Sequence, residues 1–176
     1  IPAYLLHDRE IVVRCDDSVL RATPAGARFV RRARGYVPLP ISLVKGGPTV
    51  LALGGHLKNT VCVFKGKQAF LSQHIGSLDN AASIAFLEEA VAHLLSILDV
   101  RPDLIAHDLH PDYASTRLAL QLADQLGVPA LAVPHHQAHL AAICAEHGVT
   151  TPRPGLGQLI SDAVTIPAPE RIDGRP

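Results

Sequence analysis

From Thr49 to Glu146, apolar runs of strand length alternate with segments of helix length, and that alternation limits what the chain can fold into. Thr49-Val50-Leu51-Ala52-Leu53 is short, apolar and suited to a buried strand. Val61-Cys62-Val63-Phe64 and Gln68-Ala69-Phe70-Leu71-Ser72 read as two further strands, with Lys65-Gly66-Lys67 as the tight turn between them. Together these predict a three-stranded antiparallel meander. Asp79-Asn80 offers capping oxygens to a helix over 81–98, where Ile84, Leu87, Val91, Leu94, Leu95 and Leu98 recur at helical spacing. A fourth strand is expected over 104–107. A second helix over 113–126 ends at Gly127, where a left-handed residue commonly closes a helix. A fifth strand over 128–133 and a third helix complete the series.

The order β-β-β-α-β-α-β-α predicts an α/β domain with a mixed sheet and helices on its faces. It is the order of a ribonuclease-H-like half-domain, the type found in actin and the sugar kinases. In such sheets ligands collect at the carboxyl ends of the strands. The loops after the fourth and fifth strands, 107–113 and 133–139, are therefore expected at one edge.

Outside this unit the sequence changes character. Residues 1–34 hold a β-branched run, Ile11-Val12-Val13, with strand character. They also hold arginines at 21, 28, 31, 32 and 34, whose forked guanidinium groups suit phosphate or carboxylate. Residues 35–48 are punctuated by Gly35, Pro38, Pro40, Gly46, Gly47 and Pro48 and read as an interdomain linker. From Thr151 onward, prolines and glycines predict an irregular tail, 151–176. The chain begins with Ile1 and has no Met, which reads as a piece of a longer protein. Its three cysteines are far apart and odd in number, as expected of reduced thiols in a cytoplasmic protein. Formal net charge is zero, so the overall balance points to neither nucleic acid nor membrane as a partner. No segment is expected to approach the length of a membrane-spanning helix.

Three stretches carry chemistry. Val133-Pro134-His135-His136-Gln137-Ala138-His139 places His135 and His139 four residues apart, which on a helix puts both imidazoles on one face. Neutral imidazoles at that spacing can grip one divalent ion, zinc or iron among them, with a third ligand from elsewhere. Gly54-Gly55-His56-Leu57-Lys58-Asn59-Thr60 combines glycines with donors at Lys58, Asn59 and Thr60 that suit an anionic group. His107-Asp108-Leu109-His110-Pro111-Asp112-Tyr113 offers Asp108 and His110 as residues that orient a substrate or support a metal-bound group. Each has a plainer reading: a helix start, a hairpin turn and a helix cap. His56 and His74 read as solvated positions and Cys62 as core.

Taken together the motifs resemble the hydrogenase-maturation carbamoyltransferases of HypF type. The resemblance rests on Leu6-His7-Asp8-Arg9, Arg14-Cys15-Asp16-Asp17-Ser18-Val19, Arg31-Arg32-Ala33-Arg34-Gly35-Tyr36-Val37-Pro38, Leu57-Lys58-Asn59-Thr60, Leu71-Ser72-Gln73-His74-Ile75-Gly76, Asp108 to Thr116, and His135 to His139. It implies that 1–34 end a YrdC-like domain, which makes carbamoyl adenylate from carbamoyl phosphate and ATP with magnesium. It implies that 49–150 form the first half of a Kae1-like domain, which passes the carbamoyl group to the C-terminal cysteine of a partner hydrogenase-maturation protein. On that pattern His135 and His139 are the metal pair, and Lys58, Asn59 and Thr60 belong to the first nucleotide-contacting hairpin. Asp108 and His110 line the transfer site, and Arg21, Arg31 and Arg34 join the anion-binding set.

The sequence departs from the family pattern at His56, where an acidic residue is usual, and at Gln137, where His is usual. The tail lacks the aspartate- and glycine-rich strand-turn that supplies a further ligand. The chain alone is therefore not expected to turn over. The alternative is a non-catalytic remnant that binds metal or the partner protein. Transferases acting on tRNA or on antibiotics are disfavoured by the 31–38 junction and the Asp-Leu-His-Pro-Asp-Tyr loop.

Overall fold

The structure is a computed structural model and describes residues 3, 5–24 and 26–146. The expected tail, 151–176, lies outside them. The elements in chain order are β1 (Val19–Thr23), β2 (Gly26–Arg31), β3 (Ile41–Ala52), β4 (Cys62–Leu71), α1 (Ala81–Leu98), β5 (Leu104–Asp108), α2 (Ala114–Leu126), β6 (Ala130–Val133) and α3 (His135–Glu146). The main sheet has four strands in the order β4-β3-β5-β6. β3 and β4 pair antiparallel, whereas β5 runs parallel to both β3 and β6. This is the mixed sheet expected from the sequence, with one strand fewer.

The missing strand has a local cause. Residues 62–71 form one continuous strand rather than two strands and a turn. Gly66, at φ 64, faces Gly47 across the ladder, and the register shifts there. The left-handed glycine is absorbed as an irregularity within the strand instead of reversing the chain. Ile41–Pro48, expected as linker, is likewise part of a strand. Pro48 is tolerated because no β3–β4 pair falls between Gly47 and Val50 and pairing to β5 begins only at Val50. Ile11-Val12-Val13 forms no strand; these residues are exposed, and the paired segments near the amino end are β1 and β2.

One core unites the sheet with α1 and α2: Leu51, Leu53, Val61, Val63, Leu87, Val91, Leu94, Ile105, Ala119 and Ala123. Asn80 caps α1 by accepting from the Ser83 N–H at 2.9 Å, and Gly127 closes α2 at φ 64, as their sequence positions predict. With 18 residues and a mean hydropathy of 1.6, α1 is by length and composition able to cross a membrane, contrary to expectation. In this fold its apolar stripe packs into the core, while Glu88, Glu89 and His93 interrupt the other face. The consequence for function is positional. β3 delivers the 53–61 loop, β5 delivers Asp108 and β6 delivers α3, all at one sheet edge.

Candidate functional site

Asp108 is the last residue of β5, and its side chain is 7% exposed. Two groups hold its carboxylate. The His110 backbone N–H donates to Oδ1 at 2.9 Å, and His135 Nδ1 meets Oδ2 at 2.6 Å. Burial alone pushes this carboxyl up, but the His110 N–H and His135 outweigh it and hold the group below its ordinary value. An ionised Asp108 accepts from Nδ1–H, which fixes the His135 tautomer and leaves its Nε2 as a lone-pair donor.

That Nε2 faces the Nε2 of His139 at 3.0 Å. The rings stand edge to face at 80°, one turn apart on α3. The His135 side chain is 61% exposed, so an incoming group can reach it. Two nitrogens each about 2.0–2.1 Å from one tetrahedral ion lie about 3.3 Å apart, within a few tenths of the observed spacing. The donor chemistry fits a divalent metal and supplies two ligands. Among the described residues no group of three His, Cys, Asp or Glu side chains is arranged to hold one metal ion.

Opposite the pair lies the 53–61 loop. The two walls flank an open cavity of about 330 Å³, lined by Gly54, Gly55, Lys58, Thr60, Asp108, His135 and His139 among others. Gly55 is where the walls touch. A Cβ there would sit 3.3 Å from His135 Cε1 and 3.4 Å from Asp108 Oδ2. Gly54 adopts φ 64, and a Cβ would meet the Thr60 carbonyl at 2.7 Å. Lys58 holds a left-handed backbone, φ 50, at the loop's tip.

Asn59 is turned inward. It is 1% exposed, and its Nδ2 donates to the carbonyls of Leu53 at 2.8 Å and Gly55 at 2.6 Å. Its backbone bridges to Gly76. Its amide donors are thus committed to the loop's own backbone, with Lys58 and Thr60 left to the cavity wall.

Of the sequence candidates, the fold brings together Asp108, His135, His139, Lys58, Asn59 and Thr60. The His110 ring lies outside the cavity lining, stacked on Tyr113, and its backbone serves Asp108. The arginines lie elsewhere. Arg31 pairs with Asp16, Arg34 contacts Asp17 at 3.5 Å and the Cys15 carbonyl at 3.1 Å, and Arg21 pairs in register with Arg28. The sequence reading placed Gly55 in the 54–60 motif but not against His135 and Asp108, and it gave no role to the hydroxyls of Thr116 and Ser115. Thr116 donates to the Asp108 carbonyl at 3.2 Å and Ser115 to the Gly55 carbonyl at 3.4 Å. Two adjacent hydroxyls in the first turn of α2 were the available signal. His56, read as solvated, meets Asp79 at 2.9 Å and stacks on Tyr113.

The comparisons converge on one family. The model of the HypF Kae1-like domain matches residues 45–146. A carbamoyltransferase HypF2 of Cupriavidus necator is 60% identical over 157 residues, covering 88% of this chain and 20% of the relative. A carbamoyltransferase HypF of Rhizobium leguminosarum bv. viciae is 53% identical over 150 residues, covering 85% of this chain and 19% of its own. Among solved structures, full-length HypF in a phosphate- and nucleotide-bound form superposes with a TM-score of 0.73 at 44% identity, over 82% of this chain and 22% of that one. The chain thus spans about a fifth of the length of the curated relatives it matches. With 102 residues under the family model and a relative at 60% identity, the mixed-sheet unit is a ribonuclease-H-like half-domain, and the chain belongs to the HypF carbamoyltransferase family.

Proposed function

We propose that this chain holds part of a carbamoyl-transfer site that serves hydrogenase maturation. The acceptor in this reading is the C-terminal cysteine of a partner maturation protein, and the carbamoyl group originates from carbamoyl phosphate with ATP and magnesium. One observation carries the reading: two imidazole Nε2 atoms 3.0 Å apart, one of them oriented by a buried carboxylate, facing a glycine-rich loop across an open cavity. His135 and His139 would hold a divalent metal, zinc or iron, with Asp108 as the group that orients His135. Bound there, such an ion would polarise a phosphate or carbonyl oxygen.

The chain's own residues supply the rest. Gly54 and Gly55 let a ligand approach the backbone closely, and Lys58 offers a cation to the nucleotide phosphate. Transfer forms a carbon–sulfur bond from the partner's thiolate to the carbamoyl carbon and breaks the carbon–oxygen bond to the nucleotide phosphate. Arg21, Arg31 and Arg34 lie apart from this cavity and belong, in this reading, to the adenylate-forming unit. A cytoplasmic setting fits such substrates.

The test pairs metal content with transfer in the whole protein. The His135→Ala/His139→Ala variant should lose bound metal and ATP- and carbamoyl phosphate-dependent carbamoylation of the partner's cysteine, read by mass spectrometry. Full metal content together with undiminished transfer in that variant would overturn the proposal.

A further inference from the structure

Three rings from two loops form a stack beside the site. His56 comes from the 53–61 loop, His110 from the loop after β5, and Tyr113 from the residue before α2. Tyr113 lies 4.2 Å from His110 with the planes 8° apart, and 5.5 Å from His56 at 28°. The His56 end is anchored twice: its Nε2 meets Asp79 at 2.9 Å, and its carbonyl accepts from the Leu78 N–H at 3.1 Å. The His110 end is anchored through Nδ1, which accepts from the Asp112 N–H at 3.2 Å.

Tyr113 occupies the N-cap of α2 and makes no side-chain capping bond. Ser, Thr, Asp or Asn at such a position would stabilise the helix directly. A ring stands there instead, and its contacts are the two histidines. His110 in turn gives its backbone N–H to Asp108 Oδ1, the same carboxylate that orients His135.

We infer that the His56–Tyr113–His110 stack is a positioning device that clamps the 53–61 loop to the 108–113 loop and thereby holds Asp108 against His135. It fixes the separation of the two cavity walls, since His56 belongs to one wall's loop and His110 to the other's. Tyr113 lies outside the cavity lining and acts through its neighbours. The assignment rests on the proposed transfer site for its use, whereas the clamp itself is read from loop geometry alone.

The experiment measures amide hydrogen exchange of His110 in the whole protein, with the Leu51 and Ile105 amides as core references. Tyr113→Leu should lower His110 protection about three- to tenfold, the scale of one or two aromatic contacts, and leave the references unchanged. Tyr113→Phe should restore it. Unchanged His110 protection, an equal loss at Leu51 and Ile105, or failure of Tyr113→Phe to rescue would overturn the clamp. A cobalt titration of the same variants, beside His135→Ala/His139→Ala, tests the underlying reading separately. If the double variant binds cobalt as the parent does, the metal reading falls while the exchange result still decides the clamp.

Discussion

At Gly55 the two walls leave room for a Cβ only in tight contact. A methyl there presses on His135 Cε1 and Asp108 Oδ2, at 3.3 and 3.4 Å. Gly55→Ala should therefore weaken cobalt binding about tenfold or more, as loss of an orienting contact does at metal sites, with little change in the urea midpoint. Asn59 invites a different substitution. Asn59→Asp keeps the shape but turns an acceptor toward the Leu53 and Gly55 carbonyls, so the buried Leu53 carbonyl loses this donor and the part-buried Gly55 carbonyl keeps only the Ser115 hydroxyl. Urea unfolding should show a loss of about 1–3 kcal/mol or more. The sequence revealed the residue types of this site better than their duties. Spacing identified His135 and His139, because i and i+4 on one helix is local geometry. It could not show that Asn59 faces inward, because that depends on a backbone bridge to Gly76, seventeen positions along the chain.

Elements whose ends are marked by local chemistry were legible. Asn80 and Gly127 announce α1 and α2, and the apolar stripe of α1 is visible as a repeat. Asn80→Ala should cost about 1 kcal/mol in thermal or urea unfolding, because it removes the bond to the Ser83 N–H at 2.9 Å. β3 and β4 were not legible in the same way. Glycines at 46, 47 and 66 and Pro48 signal breaks, and the signal is outweighed when two strands carry their irregularities opposite one another. Cross-strand compensation of that kind leaves no trace within either segment alone. The arginines near the amino end illustrate the converse. Their composition suggested one anion site, and the β1–β2 hairpin disperses them onto Asp16, Asp17 and backbone carbonyls.

At the scale of the whole molecule, the core sets both stability and its pH dependence. Leu51 is fully buried at the centre of the sheet, and Leu51→Ala should cost about 2–5 kcal/mol in urea unfolding. Burial pushes the Cys62 thiol from 9.0 up to about 11. The unfolded chain releases that proton at lower pH than the folded one does. Stability is therefore fully present below pH 9 and declines between 9 and 11, by about 3 kcal/mol. Cys62→Ala should flatten that part of the curve, measured as the urea midpoint against pH. The parallel pairing of β3 with β5 has a consequence in time. Val50 meets Leu104 only when roughly fifty intervening residues close into a loop, an entropic cost that local helices do not carry. Gly55 follows one of these strands and Asp108 ends the other, so the two walls of the cavity meet only after that closure. Partly folded chains would carry both histidines of α3 without the carboxylate that aims them, and bound metal would then slow unfolding far more than it speeds folding.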